Sequence, residues 1–134
     1  MENKEENIKV YEIESDQWRG KAKIIKNTLK SFQTEVGGNI EIPYISDDLG
    51  SMEIDLIINA EGKINGLDPS LVLIHENEPF DVVAGTVFFT TTDSDGDFKS
   101  LSDEQIKYLE EKIGNKHRKI SQDNRFIKVA GIEI

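Results

Sequence analysis

An α+β domain, with a mostly antiparallel sheet packed against two main helices, is what this sequence predicts, on three observations. Alternating or continuous apolar runs recur near residues 8–14, 39–42, 52–59, 82–92 and 126–134, bounded by Gly, Pro, Asn or Asp. Two segments, near 28–36 and 102–113, carry apolar residues three or four apart behind a capping side chain. Strands follow one another through short loops instead of in strand–helix–strand units, which argues against a doubly wound parallel sheet. The 134 residues are the length of one domain, so residues 1–134 are expected to form a single unit.

In chain order, Ile8–Glu14 alternates apolar and polar, the signature of a strand with one buried face. The pattern weakens through Trp18 and Lys21–Ile25. Asn27 or Thr28 then caps a helix that places Leu29, Phe32 and Val36 on one face and stops at Gly37-Gly38. Asn39–Ile42 begins a strand closed by Pro43, and Ser46–Gly50 has loop chemistry. Met52–Asn59 is a strand with Met52, Ile54, Leu56 and Ile58 on one side. Ala60–Lys63 predicts a tight turn with Gly62 at positive φ, and Asn65-Gly66 a second turn. Asp68 and Pro69 suit the cap and first position of a short helical turn through Ile74. Val82–Thr92, largely apolar and β-branched, predicts a central strand with Gly85 at a bulge or close approach. Ser102 and Gln105 form a capping box that starts a helix with Ile106, Leu109 and Ile113 inward, ended by Gly114. Asn115–Asn124 is a polar, basic linker, and Phe126–Ile134 a terminal strand whose unpaired edge predicts self-association into a homo-oligomer. Ile8-Lys9-Val10 and Ile127-Lys128-Val129 are alike enough to suggest comparable edge strands.

Composition narrows the function classes. Cysteine is absent, which rules out a disulfide framework, a thiolate metal site and a cysteine nucleophile. The start of the chain is charged where a signal peptide needs an apolar run, and no stretch approaches the roughly 20 apolar residues of a membrane span, so a soluble, cytoplasmic protein is expected. A formal charge of −10 disfavours direct binding to nucleic acid or anionic membrane. The charge is also unevenly placed. Residues 1–40 balance, residues 41–111 hold seventeen acids against three bases, and residues 112–134 hold six bases against two acids. The middle block is either a solvated acidic surface or a face that imitates nucleic acid for a basic partner.

Residues that could carry chemistry are few. Asp93, Asp95, Asp97 and Glu104 match positions 1, 3, 5 and 12 of a calcium-binding loop, but Phe98 stands where glycine is required, and a strand precedes it. The competing reading is an Asp-rich hairpin turn before a capped helix. His75 and His117 have no metal-ligand spacing, no nucleophile-elbow motif is present, and the glycines lack phosphate-cradling spacing. No catalytic residue, metal or cofactor is therefore assigned. Two binding candidates remain. Asn59, Glu61, Lys63 and Asn65 offer polar groups on alternate positions beside two glycine turns. Lys116, Arg118 and Lys119, with Lys112 and His117, form the one dense basic patch, suited to an anion or to the C-terminal end of a helix dipole.

Four blocks carry a family resemblance: Thr28–Glu41, Asn59–Leu67, Ala84–Phe89 and Ser100–Ile106. In order and spacing they resemble a family of uncharacterised domains, number three-eight-four-six in the unknown-function series, over about residues 8–113, with 114–134 outside the likeness. Ala60 departs from its pattern, which commonly has a second acid there, as do Asp68 and Ser70. The resemblance implies an origin in bacteriophages, plasmids and mobile elements of Gram-positive bacteria, and supplies no catalytic residues. It leads to the expectation of a non-enzymatic accessory protein that binds and inhibits or sequesters a host factor in counter-defence, the ligand being a host protein or a small nucleotide signal. The alternatives are an acidic nucleic-acid mimic and a small enzyme or calcium-binding module.

Overall fold

The computed structural model describes residues 6–114, 116–123 and 125–134. The charged start at Met1–Glu5 and both ends of the predicted linker, Asn115 and Asn124, lie outside the described residues. The elements run β1 (Asn7–Ile13), β2 (Gly20–Lys26), α1 (Leu29–Val36), β3 (Ile40–Glu41), α2 (Asp47–Ser51), β4 (Ile54–Asn59), β5 (Pro69–His75), β6 (Glu78–Ala84), β7 (Val87–Thr92), β8 (Phe98–Lys99), α3 (Asp103–Ile113), β9 (Arg118–Gln122) and β10 (Arg125–Glu133). The fold is α+β and mostly antiparallel, with α1 and α3 as its main helices. The strands are divided between two sheets, where a single sheet was expected. Sheet 1 has the order β2-β1-β7-β4-β3, with β8 beside β7, and sheet 2 the order β6-β5-β10-β9. Among the described pairs, β5 with β10 is parallel.

The two sheets share one core. Tyr11 and Ile13 of β1, Leu56 of β4 and Phe89 of β7 meet Leu71 and Leu73 of β5 and Ala130 and Ile132 of β10, and Leu109 and Ile113 of α3 close this core. The other face of sheet 1 is covered by α1, whose Phe32 sits edge-on to Phe88 and Phe98 with ring centroids 5.1 Å apart in both pairs. Ile8, Val10, Ile57 and Val36 complete that second cluster. Both faces of β1 are thus buried, and so are both of its edges, paired to β2 and β7. A row of polar and apolar positions could not reveal the second cover.

The helix boundaries follow local chemistry. Thr28 accepts from the Ser31 N–H, Gly37 ends α1 in the left-handed region at φ 83°, and Ser102 with Gln105 forms the expected capping box of α3. Leu29 departs from the predicted apolar face and is largely exposed. Ser46, expected in a loop, caps the one-turn helix α2 by accepting from Leu49 N–H.

Five further differences have identifiable causes. Lys21–Ile25, weakly patterned, lies in strand β2, an edge of sheet 1 on which Lys21 and Lys26 face solvent while Lys23 is half-buried. Asp68–Ile74 is strand β5 and not a helical turn, because β6 and β10 flank it and bury Leu71–Ile74. Val82–Thr92 is divided at Gly85, which has φ +90°, so that β6 ends sheet 2 and β7 enters sheet 1. The described part of the predicted linker contains β9, paired antiparallel to β10. Finally, β10 is not an edge strand: β5 and β9 pair with its two sides, removing the free edge on which self-association was argued. Two of the four strands of sheet 2 therefore come from residues beyond 113.

The β5–β6 hairpin turns on Glu76 and Asn77, both left-handed at φ 50° and 68°. A two-residue hairpin of this kind suits Asn or Gly at both central positions, and Glu76 has neither advantage. Replacing Glu76 by Asn is expected to raise stability by about 0.5–1 kcal/mol, read as a higher denaturation midpoint with an unchanged slope.

Candidate functional site

Asn59, the last residue of β4, organises the surroundings of the Asn59–Leu67 segment. Its side chain is buried, donates through Nδ2 to Val36 O at 3.0 Å, and accepts through Oδ1 from Glu61 N at 2.7 Å. It therefore ties the end of α1 to the start of the turn. The predicted pair of tight turns is one helical turn with a Schellman end. Asn65 N–H bonds to Glu61 O, Gly66 N–H to Lys63 O and Leu67 N–H to Gly62 O, with Gly66 left-handed at φ 69°. Gly62 does not have positive φ. Its glycine requirement comes from close approach, since a Cβ there would lie 2.3 Å from Ala84 O.

Three of the four sequence blocks converge here. A Cβ on Gly38 would come within 2.9 Å of Asn59 Nδ2, and one on Gly85 within 2.9 Å of Leu67 Cδ1. Glycines from the α1–β3 connection, the turn and the β6–β7 junction thus let three backbones pack around one asparagine. Beside them opens a cleft of about 310 Å3, bordered by Ile58, Glu41, Glu61, Lys63, Ile64 and Asp81. Lys63 Nζ lies 2.8 Å from Asp81 Oδ1 and holds that carboxyl below its ordinary value, helped by the Val82 N–H. Three acids thus share the cleft with one lysine that already has a carboxylate partner. Ile64, 84% exposed, projects beside them, and Glu61 and Asn65 are exposed on the same turn.

The basic candidates lie elsewhere and do not form one site. Arg118 Nη1 donates to Lys116 O at 2.9 Å and His117 O at 3.2 Å, which commits the guanidinium to its own chain. Lys116 presses its carbonyl against β10, where a Cβ on Gly131 would lie 2.2 Å away. Only Lys119 of the three predicted residues is exposed, beside Phe126 and Lys128. Lys112 reaches back to Asp48 at 3.5 Å.

Two clusters escaped the sequence reading. The Trp18 ring has Arg19 at 4.6 Å and Lys128 at 3.9 Å over it and meets His117 edge-on at 5.1 Å; only the three-dimensional fold joins residues so far apart in the chain. Glu12, 2% exposed beneath α1, shares Lys23 with Glu35 at 3.4 and 2.9 Å. Burial, and then its hydrogen bond with Glu35, pushes the Glu12 carboxyl up to about 7. Glu35 moves the opposite way, chiefly because Glu12 donates to it. Below about pH 7 the Glu12 carboxyl keeps its proton, beside the Lys23 ammonium.

The Asp-rich loop is the turn of the β7–β8 hairpin. Asp93 Oδ1 accepts from Asp95 and Asp97 N–H at 2.9 and 3.0 Å, and among the described residues no group of three or more His, Asp or Glu is placed to hold a metal ion.

What fold and site together define is an α+β protein with two sheets and a glycine-packed turn overlooking an acidic cleft. The family model described as a domain of unknown function (DUF3846) matches residues 8–114, and the chain belongs to that family. No curated protein and no solved structure matches it. Among the described residues no helix is long and apolar enough to cross a membrane.

Proposed function

We propose that this chain is a non-enzymatic binding protein that docks a basic surface of a protein partner on the Asn59–Leu67 turn and its cleft. The observation that supports this is the charge of the recess: Glu41, Glu61 and Asp81 border it, Lys63 is held by Asp81, and the exposed Ile64 at its side offers an apolar contact. Such a recess repels a nucleotide phosphate, so of the two ligand classes the protein is favoured over the nucleotide signal. In the mobile-element setting that the family resemblance implies, the partner is a host factor, and binding inhibits or sequesters it as a counter-defence act. Acidic mimicry of nucleic acid is a second reading, favoured by the seventeen acids of residues 41–111.

The test is the double change Glu61→Ala with Ile64→Ala, which removes one acid and the apolar contact and leaves the Lys63–Asp81 pair in place. Both side chains are exposed, so the melting temperature should move by no more than about 3 °C. Affinity for the identified partner should fall at least about tenfold. Full affinity in a folded double variant would retire this segment as the site.

A further inference from the structure

Sheet 2 ends in two unlike edges. At the β6 edge lies an apolar hollow of about 560 Å3, formed by Ile45, His75, Phe80 and Ile134 and rimmed by Glu76 and Glu78. Phe80 is 60% exposed because the β5–β6 register skips it, pairing Leu73 with Asp81 and Ile74 with Pro79. The backbone of this edge is blunted. Pro79 has no N–H to offer, and the Val82 N–H is already taken by the Asp81 carboxylate at 2.8 Å. Whatever docks here is held by side chains and not as an added strand.

At the opposite edge, the β9–β10 hairpin presents the complementary chemistry. Phe126, Lys128, Ala130 and Ile132 alternate along one face of β10; Ala130 and Ile132 line the main core, and the row runs on past it, leaving Phe126 77% exposed. Lys119 stands opposite Lys128 in register, which puts two ammonium groups on the face that carries the Phe126 ring. An exposed aromatic flanked by lysines on one edge matches an apolar hollow rimmed by glutamates on the other. The hollow is large enough for the ring. Because β6 and β9 close opposite ends of the same sheet, one molecule cannot bring the two together by itself.

We propose that copies of this chain associate head to tail, with Phe126 of one copy seated in the Phe80 hollow of the next and Lys119 and Lys128 facing Glu76 and Glu78. The contact is heterologous, so it produces an open chain or a closed ring and not a two-fold dimer. It leaves the Asn59–Leu67 cleft out of the contact, so partner binding at that cleft and self-association stand or fall separately.

Sedimentation at about 0.15 M salt, where the reach of the overall negative charge is cut to about 8 Å, is the measurement. The wild-type mass should rise with concentration up to about 1 mM, and Phe126→Ala should weaken the association at least about tenfold. Two charge reversals isolate the faces. Glu76→Lys with Glu78→Lys, and separately Lys119→Glu with Lys128→Glu, should each leave a folded monomer, and mixing the two variants should restore association, in chains or rings in which the two variants alternate. Lys119→Glu alone should also weaken association, without touching the Lys128–Trp18 contact. A wild type that stays monomeric at about 1 mM overturns the proposal. So does undiminished association of Phe126→Ala, self-association of either reversal variant alone, or failure of the two to combine.

Discussion

Replacing Gly62 by valine is expected to destabilise the protein by about 3 kcal/mol or more, and Gly62→Ala by most of that amount. The cause is contact between backbones. A Cβ on Gly62 would meet Ala84 O at 2.3 Å and Ala84 C at 3.1 Å, and neither atom belongs to a side chain that can swing away. Relief would require the turn to lift from the β6–β7 junction, exposing Asn59 and its bonds to Val36 O and Glu61 N. Gly66 is the control four residues on. It has open space for a Cβ but is left-handed at φ 69°, so Gly66→Ala should lose only about 1 kcal/mol. Denaturant unfolding of the two alanine variants separates the mechanisms, and equal losses in both would show that the close approach is not rigid.

This glycine pair shows how far the sequence could be read. The turn was legible, because Gly62 and Gly66 punctuate it, yet the reason for Gly62 was not. Positive φ is a local property that a turn motif suggests, whereas an approach by Ala84, twenty-two positions away, is not. The same limit explains the errors in the strands. Asp68-Pro69 has good helix-start chemistry, but pairing to β6 and β10 overrides it, since an apolar run of this length is as good a buried strand as a helical turn. Val82–Thr92 has one continuous composition because both of its halves are strand, and only the left-handed Gly85 marks where the chain changes sheets. Where a signal is wholly local, as in the Ser102–Gln105 capping box and the Thr28 cap, expectation and structure coincide.

The candidate site divides along similar lines. Glu61, Lys63 and Asn65 are on the surface as a polar turn predicts, and Asn59 is not, because its amide satisfies backbone groups that would otherwise be buried without partners. The basic cluster is divided because Arg118 satisfies carbonyls of its own connection, something charge counting cannot foresee. Glu12 was the least legible of all. Alternation places it on the same face as Ile8 and Val10, but nothing local says that α1 will cover that face and bring Glu35 to it.

That buried acid gives stability a distinctive pH dependence. Glu12 has an ordinary value of 4.5 and is pushed up to about 7 in the folded protein, by burial first and by donation to Glu35 second. Below about 4.5 both folded and unfolded chains keep the proton, and the stabilising contribution is fully present. Between about 4.5 and about 7 the unfolded chain releases the proton while the folded chain retains it, so stability falls as pH rises, and above about 7 the loss levels off. The full effect is on the order of 3 kcal/mol. Glu35 acts in the opposite sense at lower pH: its carboxyl is held below the ordinary value, so its contribution is lost only as pH falls through that lowered value. Glu12→Gln mimics the protonated state at every pH, because its amide can still donate to Glu35 and its carbonyl can accept from Lys23. The variant should therefore lack the decline between pH 4.5 and 7 and should exceed the wild type in stability at pH 8 by about 2–3 kcal/mol. Comparing the two proteins cancels the titrating groups outside the Glu12, Glu35 and Lys23 cluster. Parallel stability–pH curves for the pair would show that Glu12 ionises normally and that the proton shared with Glu35 does not exist.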